Sequence, residues 1–241
     1  LMNYNEKDDP ISSRIKTKVD DVPFYFYFDH LSDVKLAFGN YNKKELKFLK
    51  NKLRDNSVFV DIGSNIGFYS QNIANLYPKL NFKMILAIEA NPIMVKRHLE
   101  NIALLSNKIK DIEKKIIIEN SAVGDSEDYL YLNLLKGYGS AKIEEISTEN
   151  CIKVKVNTLI NILAKYNIKQ VTCLKIDIEG YEDKALLPFF KIANKEMFPE
   201  NIVIEHTSNN EWHEKDLVNK LVSLGYEKVL ITRGNTCLSL R

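Results

Sequence analysis

The stretch Ser57-Val58-Phe59-Val60-Asp61-Ile62-Gly63-Ser64-Asn65-Ile66-Gly67-Phe68-Tyr69-Ser70 narrows the fold more than any other part of the chain. It opens as an apolar run with β-branched and aromatic residues, turns through two glycines and continues in a helical pattern. A buried strand feeding a glycine turn and a helix is the ligand-binding end of a doubly wound α/β sheet. The spacing says which ligands fit badly. A dinucleotide site uses G-x-G-x-x-G, so that bare backbone meets the pyrophosphate, and here Asn65 stands at the middle glycine. No Lys-Ser/Thr pair follows Gly67, so a phosphate P-loop fails as well. A phosphate-free cofactor such as S-adenosylmethionine (SAM) tolerates Asn65, and Asp61 at the strand end is placed to act on its ammonium, directly or through water. A nucleotide, or a plain strand-turn-helix with two convenient glycines, stays open on this stretch alone.

The rest of the chain repeats that unit. Val58–Ile62, Met84–Glu89, Ile116–Ile118, Val171–Ile178 and Ile202–His206 read as sheet strands, separated by helical patterns at 65–76, from Pro92 to about Leu105, 158–166, 182–187 and 212–224. Asn91 is set to cap the second of these helices, with Pro92 at its first position, and Asn157 to cap the third. Short joints argue for parallel strands with right-handed crossovers. Lys228–Thr232 and Thr236–Leu240 close the sheet as an antiparallel pair about Gly234-Asn235. The expectation is an α/β fold with a mostly parallel central sheet, helices on both faces and an antiparallel closing strand. Residues 1–55 add a hairpin over Arg14–Phe28 with Asp20-Asp21 at its turn, and a helix over Asn42–Lys52, both packing on the core of 56–241. Tyr129–Leu135 reads as an extra strand, and Lys136–Asn150 as a loop.

With 241 residues, 45% of them hydrophobic and 27% charged, the chain suits one globular α/β unit with a sizeable core. A formal net charge of +2 gives no reason to expect nucleic acid as a partner. Cys151, Cys173 and Cys237 have no ligand spacing and read as reduced thiols. No run approaches the roughly 18 apolar residues of a membrane span and no secretory signal is evident, which sets the expectation of a cytoplasmic protein without a membrane span.

Ligands of open α/β sheets sit beyond the carboxyl ends of the strands. Those ends carry Asp61 with Gly63, Glu89, Ser121-Ala122, Asp177 with Glu179-Gly180, and Glu205-His206. Glu89 can accept charge-assisted bonds from vicinal ribose hydroxyls, a role that any adenosine cofactor would use. Alternation along Lys175-Ile176-Asp177-Ile178-Glu179 puts three charges on one face, which is costly unless that face opens onto a site or the charges pair. Asp177 and His206 are candidate bases toward a hydroxyl, with Lys175 as a further candidate catalytic residue. Asp177, Glu205 and His206 are also a candidate set for a divalent cation. His30, His98 and His213 lack partners at ligand spacing and read as structural or solvated.

Asp61-Ile62-Gly63-Ser64-Asn65-Ile66-Gly67, then Glu89-Ala90-Asn91-Pro92, then Ser121-Ala122-Val123, then Leu174-Lys175-Ile176-Asp177-Ile178-Glu179-Gly180-Tyr181-Glu182 resemble the FkbM family of SAM-dependent methyltransferases. The likeness runs in order from about Val58 to Tyr226. It implies a Rossmann-like class I methyltransferase fold and O-methylation of a hydroxyl on a sugar, glycan or natural-product acceptor. It also implies that Asp61, Gly63, Asn65 and Gly67 line the methionine end of SAM, Glu89 the ribose, and Ser121 and Ala122 the adenine surroundings, with Asn91 and Asp177 as further cofactor residues. Ser64 stands where alanine is common in the family, and Ala90 where proline is. Two competing readings are a nucleic-acid or protein methyltransferase on the same fold and a SAM-binding partner subunit without activity. Acceptor identity and oligomeric state are not encoded in any readable motif.

Overall fold

A computed structural model describes residues 14–27, 31–38, 42–133, 142–144, 151–206, 212, 214 and 216–241. Its centre is a seven-stranded sheet in the order β12-β13-β11-β10-β3-β4-β5. The strands are β3 (Val58–Ile62), β4 (Met84–Ile88), β5 (Ile116–Glu119), β10 (Cys173–Ile176), β11 (Asn201–Glu205), β12 (Tyr226–Ile231) and β13 (Asn235–Leu240). Neighbours from β5 through β3 to β11 are parallel, and β13 runs antiparallel between β11 and β12. The reversal of strand order between β3 and β10 opens the crevice where ligands of such sheets lie.

Alternation along β3 sorts its side chains. Val58, Val60 and Ile62 belong to one apolar layer with Leu174, Ile176 and the helices α5 (Leu159–Lys165), α6 (Glu182–Ile192) and α7 (Leu217–Ser223). Phe59 belongs to the other, with Cys173, Val203, Cys237 and the helices α2 (Lys43–Lys52), α3 (Phe68–Ala74) and α4 (Pro92–Ser106). Asp61 and Lys175 fall on the Phe59 and Cys173 side by the same period of two, and the register pairs them directly. The fold thus sets an acid and a base side by side on one face, beneath the start of α3.

The hairpin of β1 (Arg14–Val19) and β2 (Val22–Tyr27) turns through Asp20 and Asp21, both at positive φ. Phe24 and Phe26 are buried in the second layer. Tyr25 N donates to Asn101 Oδ1 of α4 at 2.8 Å. Arg97 of α4 pairs with Asp33 of a helix the sequence pattern did not announce, α1 (Leu31–Phe38). A second sheet, β6-β9-β7-β8, holds β6 (Ala122–Gly124), β7 (Asp128–Asn133), β8 (Lys142–Glu144) and β9 (Cys151–Thr158). Part of the expected 136–150 loop is therefore strand, and the remainder lies outside the described residues.

Among the boundaries that differ from the sequence reading, four have a visible physical reason. Helix α3 starts at Phe68 rather than Asn65, because Asn65 (φ 50°) and Gly67 (φ 87°) still belong to the turn. The cap of α5 is Thr158, whose hydroxyl accepts from Asn161 N, and not Asn157. Strand β10 stops at Ile176, so the expected alternation through Glu179 breaks. Helix α7 begins at Leu217, because Trp212 is drawn into the core. His30 and His213 lie outside the described residues. All three cysteines are free thiols. No helix among the described residues is long and apolar enough to cross a membrane.

Candidate active site

The partly or fully exposed polar residues at the strand tops follow the sheet order: Asn120 after β5, Glu89 after β4, Gly63 and Asn65 after β3, Asp177 and Glu179 after β10, His206 after β11. Two acid-bearing turns dominate this rim.

The first runs from Asp61 to Gly67. Asp61 is fully buried. Its Oδ2 accepts the Ser70 N–H at 3.1 Å and the Ser70 hydroxyl at 2.7 Å, which ties the strand end to the first turn of α3. Its Oδ1 has no hydrogen-bond partner and lies 3.7 Å from Lys175 Nζ. Burial pushes the Asp61 carboxyl above the usual carboxylate range, against the pull of Lys175 and the two Ser70 bonds. Lys175, also buried, donates to the Gly63 carbonyl at 2.8 Å and lies 3.9 Å from Asp177 Oδ2. One ammonium therefore serves two carboxylates and clamps the glycine turn.

Glu89 arrives from the neighbouring strand. Its Oε2 accepts from Asn65 N and its Oε1 from Asn91 N, both at 2.8 Å. Burial raises its pKa, and the two N–H donors oppose that rise. Asn91 itself is 2% exposed and caps α4 through Ile93 N at 3.0 Å. Asn120 Nδ2 bonds the carbonyls of Glu89 and Ala90 at 2.9 and 3.0 Å, fixing the same loop from the side of β5. Ser121 and Ala122 are buried, at 1% and 7% exposure, beneath that edge.

The glycines are sterically required. A Cβ at Gly63 would lie 1.9 Å from the Asp177 carbonyl oxygen, and one at Gly67 would lie 2.1 Å from His98 Nε2, both at positive φ. His98 is fully buried, with Nδ1 3.4 Å from Ser64 Oγ, and burial lowers its pKa to about 3. It stands neutral under the glycine turn.

The second turn runs from Asp177 to Gly180, with Glu179 at φ 55° and Gly180 at φ 103°. Here the strand-end acid is open: the Asp177 side chain is 24% exposed. A different acid, Glu182, holds the turn. Its Oε1 accepts Ile178 N at 2.7 Å, and its Oε2 accepts Gly180 N at 3.1 Å and Trp212 Nε1 at 2.6 Å. Burial raises the Glu182 pKa, partly offset by those donors.

Carboxylate oxygens of Asp177, Glu182 and Glu205 lie within 4.8 Å of one another. Glu182 is already committed to three N–H groups, and His206 is not part of the cluster: its Nδ1 faces Thr236 Oγ1 at 3.0 Å. The structure thus gathers Asp177 and Glu205 but turns His206, which follows β11, toward Thr236 of the closing strand β13. Ser70, Asn120, Glu182 and Trp212 were not singled out from sequence. Glu182 had a visible signal, the acid five residues after Asp177; Trp212 had none.

Residues 61–228 match the model of the family described as "Methyltransferase FkbM domain". No curated protein matches the sequence. Among solved structures, a methyltransferase FkbM from Methylobacillus flagellatus KT is 17% identical with a TM-score of 0.52, over 83% of this chain and 59% of that one. The chain thus spans less than two thirds of that protein's length, and the likeness is one of fold, the Rossmann-like fold of class I methyltransferases. A precorrin-6y C5,15-methyltransferase from Geobacter metallireducens GS-15 is 13% identical over 82% of this chain and 88% of that one, with a TM-score of 0.49. A tRNA m1G37 methyltransferase from M. jannaschii is 14% identical over 95% of this chain and 57% of that one, also with a TM-score of 0.49.

Proposed function

The chain belongs to the FkbM family of methyltransferases, and from that premise we propose that it transfers a methyl group from SAM to a hydroxyl oxygen of a sugar, glycan or natural-product acceptor. The observation that carries the hydroxyl reading is the pairing of the two turns. Asp177, a partly exposed carboxylate, stands where its own carbonyl touches Gly63, so a proton acceptor lies directly beside the glycine turn.

The residues suit the donor. Gly63, Asn65 and Gly67 expose backbone rather than a phosphate-binding lysine. The half-exposed Glu89 keeps a second lone pair on each oxygen for ribose hydroxyls after its two backbone bonds. The buried Asp61 Oδ1, which accepts no hydrogen bond and faces the Lys175 ammonium at 3.7 Å, lies under the methionine end. Ser121, Ala122 and the Asn91 cap shape the adenine side. When bound, the donor supplies a methyl already activated by its sulfonium.

What remains for this chain is alignment and one proton. Holding an acceptor oxygen in line makes the displacement effectively unimolecular. The Asp177 carboxylate accepts the hydroxyl proton as the oxygen–carbon bond forms, and His206 is the alternative base on the next strand. Lys175 does not reach the acceptor in this scheme. It keeps the Gly63 carbonyl in place and balances Asp61 and Asp177.

The test incubates the chain with SAM and separate pools of glycosides, polyketide alcohols, total tRNA and protein. Release of S-adenosylhomocysteine (SAH), together with an acid- and base-stable methyl ether on a hydroxyl, is the expected result. Methyl incorporation confined to the tRNA or protein pool would overturn the hydroxyl assignment.

A further inference from the structure

Trp212 is the only tryptophan of the chain. It is 3% exposed, and its indole Nε1 donates to Glu182 Oε2 at 2.6 Å. The next acid, Asp183, accepts the backbone N–H of Glu214 at 2.9 Å. Two consecutive acids at the start of α6 therefore hold two points of the chain that follows β11. The same Glu182 is the internal anion of the Asp177–Gly180 turn. Positive φ at Glu179 and Gly180 folds the backbone so that Ile178 N and Gly180 N converge, and converging N–H groups require an acceptor. Beyond that turn, the Asp177 carbonyl abuts Gly63 and the Asp177 N–H donates to the Ile62 carbonyl at 3.1 Å. An unbroken run of contacts leads from the indole, through one carboxylate and one turn, to the glycine turn.

We propose that Trp212 and Glu182 are positioning residues: through their shared hydrogen bond they fix the Asp177–Gly180 turn against Gly63, so that the state of the methyl-donor site is read at the indole. This rests on the donor reading above. It adds residues outside the strand-top motifs, and it makes the lone tryptophan an intrinsic reporter of the site.

The experiment titrates the full chain with SAH and records calorimetric heat and tryptophan emission in parallel, well below the thermal midpoint. In the unsubstituted chain, the emission change is expected to saturate with the heat. Trp212→Phe keeps the ring and removes the donor; Glu182→Gln keeps the shape and replaces one acceptor by an amide. Each is expected to weaken SAH about fivefold, the weight of one buried hydrogen bond. The double variant is expected to lose less than the product of the two single losses, since both remove the shared Trp212–Glu182 bond. A merely structural role would lower the midpoint and leave the affinity of the folded protein unchanged. Binding heat with flat emission, unchanged affinity in both single variants, or additive losses would each overturn the proposal. Absence of binding heat in the unsubstituted chain would overturn the donor reading itself, and the coupling with it. If Trp212→Phe does not fold, the emission titration and Glu182→Gln decide alone.

Discussion

The two turns at the centre of the site begin with nearly the same words, Asp61-Ile62-Gly63 and Asp177-Ile178-Glu179-Gly180, and use them in opposite ways. In the first, the strand-end acid is buried and spent on the helix that follows, through Ser70. In the second, the strand-end acid is open, and the bracing falls to Glu182 within the helix. The cause is which helix covers which strand. Helix α3 presents Ser70 to Asp61, whereas α6 turns Glu182 back toward its own entry loop. An acid next to glycine thus becomes structural or available according to whether another group already satisfies the turn's N–H donors.

The contrast can be broken most forcefully at Gly63. Gly63→Ala sets a methyl against the Asp177 carbonyl at positive φ, and a loss on the order of 4 kcal/mol is expected, with SAH binding abolished. Urea melts and calorimetry check it; a variant that binds SAH normally would show that the turns do not press on each other. Next comes the paired test of the two aspartates. Asp61→Ala leaves Lys175 without its buried partner and should cost about 3–5 kcal/mol. Asp177→Ala should leave stability within about 0.5 kcal/mol, while methyl transfer to the accepted substrate falls about a hundredfold. Equal destabilisation by the two would mean that both acids are structural.

His98 sharpens the comparison from below the first turn. Its pKa is lowered to about 3 in the folded chain, so its contribution is present above the ordinary value of 6.5 and is lost as pH falls toward 3. Between pH 7 and pH 4.5 the loss is about 2.5 kcal/mol. Asp61, Glu89 and Glu182, raised by burial, act with the opposite sign, so the comparison with His98→Asn isolates the imidazole. Denaturant midpoints of the two proteins should converge as the pH drops; parallel curves would reject a neutral buried His98. The smallest effect belongs to Glu89→Gln, which keeps an acceptor for one backbone N–H and loses the charge. SAH affinity should fall about tenfold, and an isotherm unchanged from the parent would remove Glu89 from the ribose role.

Strands β3 and β4 and the closing pair were legible because an apolar run between turn residues has few alternatives. The hairpin at Asp20-Asp21 and the cap at Asn91 were legible because their chemistry is local. The sequence pattern misled in two kinds of place: turns and caps satisfied close by, as at Asn65, Gly67 and Thr158, and side chains bound to partners elsewhere in the chain. Helix α7 loses its expected first turn because Trp212 bonds Glu182, and β10 ends early because its last residues curl around that same carboxylate. Periodicity sees neither, because in each case a side chain, the Glu182 carboxylate, takes the place of a backbone partner: Trp212 reaches it from 30 residues away, and Ile178 N from 4. Asn120 escaped notice for the same reason, its amide being engaged by carbonyls after another strand.

By itself, the order of residues determined that a parallel α/β sheet forms, that its tops carry acids and glycines, and that the first turn lacks the glycine spacing and the lysine of the phosphate-binding loops. Strand alternation, glycine's access to positive φ and helix capping are short-range effects, and short-range effects are written in neighbouring letters. Which acid is buried and which stands open was decided only in three dimensions. Lys175 could pair with Asp61 and still lie near Asp177 only once two strands distant in sequence stood in register, and the donors that consume a carboxylate come from wherever the packed helices bring them.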